Sequence, residues 1–95
     1  MLFRFIESLR GYFLEEGERQ TLRLLDQIDS GINRNALRRL SHRWAGVAGT
    51  FGYPKISDVA RELEILAQRG SMEPTQLRMV LTELSDLFMD AVGRS

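Results

Sequence analysis

The chain contains no cysteine, two prolines and a single histidine. Without cysteine it can form neither disulfides nor thiolate metal sites, and a reducing compartment suits it. One histidine and no cysteine also leave no nitrogen/sulfur metal-ligand set. No run of residues approaches the ~18 apolar positions of a membrane span. Thirteen basic and thirteen acidic residues cancel, so no global field draws nucleic acid or an anionic membrane. The apolar stretch Met1 to Leu9 is broken by Arg4 and Glu7 and lacks a small-residue cleavage site, which excludes a signal peptide. There is no phosphate-cradling glycine loop and no supportable Ser/His/Asp constellation. The chain reads as soluble and cytoplasmic, with no membrane insertion.

Ninety-five residues, 43% of them apolar and 27% charged, make a single domain over 1–95. Such a chain buries one core and has no room for a deep, enclosed active site. Apolar residues recur at three- and four-residue steps in four segments, and no alternating strand pattern competes. The first segment runs from about Leu2 to Ile28, with Leu2, Ile6, Leu9, Phe13, Leu24 and Ile28 as its stripe. Gly11 and Gly17 admit a kink there, and Gly31 suits a left-handed helix end. The second runs from an N-cap at Asn33 to about Gly52 and carries Leu37, Leu40, Trp44, Ala48 and Phe51. The third begins at Pro54 and ends at Gly70; the fourth begins between Ser71 and Pro74 and reaches about Val92. Four amphipathic helices with short connections predict an all-α, antiparallel up-down-up-down four-helix bundle; a monomer is the expected state, though no sequence feature fixes it.

The histidine lies in the second segment. At ~100° per residue, its apolar positions fill a third of the wheel and His42 falls nearly opposite. The outer face then reads Arg38, Arg39, His42, Ala45, Gly46 and Gly49, with Arg43 turned to a different side. A solvent face normally carries Lys, Glu and Gln, which favour the helix; glycine weakens it. The spacing therefore predicts that Gly46 clears space beside the imidazole for another protein's surface. Free imidazole has a pKa of about 6.5, so near neutral pH it keeps a nucleophilic nitrogen that can take up a phosphoryl group. Arg38 and Arg39, one turn away, could attract phosphate or an acidic surface.

These residues resemble the histidine-containing phosphotransfer (HPt) domains of bacterial two-component phosphorelays. The match is His42, Gly46, Ala48, Gly49 and Gly52, and the segment Ala60-Arg61-Glu62-Leu63-Glu64 is similar to the one that follows the motif in the family. The resemblance implies a phosphorelay intermediate. His42 accepts a phosphoryl group from the phosphoaspartate of a response-regulator receiver domain, free or attached to a hybrid sensor histidine kinase, and passes it to another receiver. It also implies a phosphocarrier rather than a free-standing catalyst, with no cofactor of its own and with Mg²⁺ on the partner receiver. Many members carry lysine three residues after the histidine, where this chain has Ala45.

That departure keeps a second reading open: a binding-only helical module that docks a receiver or another partner without phosphotransfer. DNA or RNA binding through the arginines of the 34–43 segment is disfavoured by the balanced charge. Trp44 belongs to the core stripe, Met72, Met79 and Met89 to core or rim, and the acidic pairs Glu15-Glu16 and Glu62/Glu64 to solvated faces.

Overall fold

The computed structural model describes residues 2–94, apart from the side chain of Phe3. Four helices follow one another: α1 (Leu2–Gln27), α2 (Arg34–Phe51), α3 (Pro54–Arg69) and α4 (Pro74–Arg94). Among the described residues there is no strand. The helix ends follow from local chemistry. Asn33 accepts a hydrogen bond from the Ala36 amide (2.9 Å) and caps α2. Gly52 (φ 83°) and Gly70 (φ 73°) adopt the left-handed conformation that closes α2 and α3. In both, the following amide bonds back to an orphan carbonyl, Tyr53 to Ala48 (2.8 Å) and Ser71 to Leu66 (2.9 Å). Pro54 and Pro74 start α3 and α4, where a missing N–H costs nothing. Glu73 accepts from the amides of Thr75 (3.1 Å) and Gln76 (3.0 Å), which holds its carboxyl below the usual range.

Neighbouring helices run antiparallel. Phe13 meets Phe51 across α1 and α2, Ala45 meets Ser57 across α2 and α3, and Asp29, in the turn after α1, meets Arg78 near the start of α4 while Phe13 meets Phe88 near its end. The predicted fold class is the observed one. Phe88 is fully buried at the centre of the core. The rings of Trp44 and Phe13 both approach it edge-on, with centroids 5.5 Å away. Gly17 sits directly beneath that ring, and a Cβ there would overlap it. The glycine therefore serves close packing, and α1 passes through Gly11 and Gly17 as one unbroken helix.

Two faces differ from the helical-wheel expectation. The α1 stripe is buried only from Phe13 onward. Leu2, Phe5, Ile6, Leu9 and Tyr12 are exposed, and α1 extends past the end of α2. Phe13 is level with Phe51, the last residue of α2, so the first turns of α1 have no α2 beside them. In α2 the buried arc includes Ser41 and Ala45 in addition to Leu37, Trp44 and Ala48. Among the described residues the four buried hydroxyls, those of Thr21, Ser41, Ser57 and Ser85, all have a partner.

Candidate functional site around His42

α2 and α3 pack closely because the facing residues are small. Ser41, Ala45 and Ala48 on α2 are buried, as are Ser57 and Ala60 on α3. The Ser57 hydroxyl donates to the Ala45 carbonyl at 2.8 Å, pinning the two helices together. This contact corrects the expected outer face. Ala45 is only 4% exposed and lies under α3. It neither lines the docking face nor leaves space beside the histidine. The wheel, centred on the large residues, placed it outside; α3 widens the buried arc to cover it.

The same approach brings α3 to the histidine. His42 projects from the middle of α2 with its side chain 76% exposed, and its Nδ1 lies 2.8 Å from Oε2 of Glu64. Glu64 is itself half-buried, with 21% of its side chain exposed, so it is not a freely solvated acid. A carboxylate can only accept, so Nδ1 carries the hydrogen and donates it. When the ring is neutral, the lone pair is then on Nε2, on the far side of the ring from Glu64. Glu64, expected on a solvated face, instead holds the histidine. A usable signal was present, because Ser57, Ala60 and Glu64 share one helical edge and the two small residues mark the side that meets α2.

Beside the imidazole the surface is shallow and open, lined by His42, Arg43, Gly46, Val47, Thr50 and Phe51. Gly46 is exposed, and a Cβ added there would meet nothing within 4 Å. The bundle's own packing therefore does not require glycine at this position. Gly49 is also exposed, and a Cβ there would make only an ordinary 3.7 Å contact with the Ser57 hydroxyl. Each glycine costs about 1 kcal/mol against alanine in a helix interior, with no compensation inside the domain. Arg39 is exposed one turn before His42, and Arg38 is half-buried. Neither borders the depression around Gly46. Arg43, the arginine expected on another side, does border it. Among the described residues no group of three potential metal ligands comes together.

A family model, the Hpt domain, matches residues 8–92. The chain belongs to the Hpt domain family. No curated protein and no solved structure matches it significantly. Family membership implies phosphotransfer within His–Asp phosphorelays and, with it, receiver-domain partners. The matched span contains every residue of the site and all of α2 and α3. No helix among the described residues is long and apolar enough to cross a membrane.

Proposed function

We propose that this Hpt domain is a phosphorelay intermediate whose acceptor atom is Nε2 of His42. The observation that carries the proposal is the Nδ1–Glu64 hydrogen bond, which favours a lone pair on the outward nitrogen. The Nε2 lone pair attacks the phosphorus of a receiver's phosphoaspartate. The bond from phosphorus to the aspartyl oxygen breaks, and the aspartate leaves as a carboxylate. Glu64 keeps the Nδ1 hydrogen in place and faces the positive charge that the phosphorylated ring acquires. A second receiver takes the group by the reverse displacement. Phosphoryl transfer depends mainly on positioning and charge neutralisation. The receiver brings Mg²⁺ and its own lysine; the bundle brings the nucleophile and the clearance at Gly46. With alanine at position 45, the nearby cations on this chain are Arg43, at the rim of the depression, and Arg38 and Arg39, one turn before the histidine.

The test is to incubate the domain with a radiolabelled phospho-receiver. The expected product is acid-labile, alkali-stable label on the domain, lost in His42→Gln. Receiver binding without label on the parent chain supports the binding-only reading instead.

A further inference from the structure

The first turns of α1, up to Leu9, extend past the end of α2, while Arg10 and Tyr12 already border grooves shared with the other helices. Leu2 (74% exposed), Phe5 (61%), Ile6, Leu9 and Tyr12 (65%) are all exposed. They fall on one side of the helix, within about 120° of the wheel. Arg4 and Glu7 point away from that stripe, and Arg10 lies at its edge, so the stripe itself is free of charge. It presents the equivalent of about three fully exposed large side chains, roughly 500 Å². That is a large apolar patch for the surface of a monomer.

We propose that, in place of the monomer expected from the sequence, the occupant of this stripe is a second copy of the chain, paired antiparallel along residues 2–12. Two such stripes offer at most about 1,000 Å² for burial, which reaches the lower bound of a specific interface when both are fully covered. A stripe with no charge is complementary to itself, and a twofold axis closes the contact. Pairing centred near position 7 sets Leu2 of one copy against Tyr12 of the other, and Phe5 against Leu9. The antiparallel sense puts the two bundle bodies at opposite ends of the paired segment, where they do not collide. The phosphotransfer face stays free. Phe13 and Phe51 are level, with ring centroids 6.0 Å apart. At 1.5 Å per residue, His42 lies about 13 Å to one side of that level and position 7 about 9 Å to the other. The pairing seam and the histidine are thus about 22 Å apart along the bundle.

Sedimentation equilibrium over a concentration series tests this. The parent chain should move from the monomer mass of 10.9 kDa to twice that value. Phe5→Glu and Leu9→Glu, each beyond the packed bundle, should stay monomeric with unchanged helical circular dichroism. A parent that remains monomeric at the highest soluble concentration overturns the proposal. So does a dimer that survives both substitutions. A monomeric parent that co-sediments with phosphatidylserine vesicles, or whose receiver binding is lost in Phe5→Glu, assigns the stripe to a lipid surface or to the receiver and equally overturns it.

Discussion

Removing the Glu64 carboxylate should slow phosphotransfer while leaving the fold alone. In Glu64→Ala the Nδ1 hydrogen loses its acceptor, so the ring can rotate about its side-chain bonds and the hydrogen can reside on either nitrogen. Hydrogen bonds to charged groups contribute about 1.5–3 kcal/mol where they are sheltered. Here the histidine is 76% and the glutamate 21% exposed, and solvent screening reduces the figure to about 1 kcal/mol. Expressed in the transition state, that is about a fivefold slower transfer. Glu64→Gln, whose amide oxygen still accepts from Nδ1–H, should fall between parent and alanine variant. Rapid-quench transfer from a labelled phospho-receiver measures the rates, and circular dichroism checks folding. Glu64→Ala transferring at the parental rate while folded would refute the role given to this hydrogen bond.

Gly46→Ala should stabilise the domain by up to about 1 kcal/mol in a denaturant melt, because nothing opposes the new Cβ and the helix gains propensity. Gly46→Leu should fold equally well yet slow transfer roughly tenfold or more, since displacing reacting groups by an ångström is already costly; an unimpaired leucine variant contradicts the clearance argument. Gly17→Ala should destabilise by about 1–3 kcal/mol, because its Cβ overlaps the buried Phe88 ring; a denaturant melt reads this directly. Glu73→Ala should lower the melting temperature at neutral pH. The depressed carboxyl of Glu73 contributes stability above its ordinary value of 4.5 and loses it as pH falls through the folded value. The gap between parent and variant melts should therefore close in acid.

The helices could be read from the sequence because their ends are chemically explicit. Asn33, Gly52, Pro54, Gly70 and Pro74 each perform the capping or starting role that their residue type suggests. The outward direction of His42 and Gly46 was legible for a similar reason, since a wheel built on Leu37, Trp44 and Ala48 fixes their face. What remained hidden depended on neighbours. Ala45 lies at the border of the apolar arc, and only the approach of α3 decides that it is covered. Glu64 looks like any surface acid until α3 is set beside α2 in register. Gly17 was read as a weak point in a helix, whereas Phe88, seventy-one residues later, occupies the space that a side chain would fill. The leading turns of α1 show the opposite failure. Their periodicity predicts a buried stripe, but periodicity does not say whether the chain supplies anything to bury it.

The proposed transfer turns on which nitrogen receives the phosphoryl group. Heteronuclear NMR of the ¹⁵N-histidine-labelled domain, phosphorylated by a receiver, locates it directly. The group should couple to Nε2 of His42, with Nδ1 still protonated against Glu64. Phosphate on Nδ1, or on any residue other than His42, would contradict the mechanism.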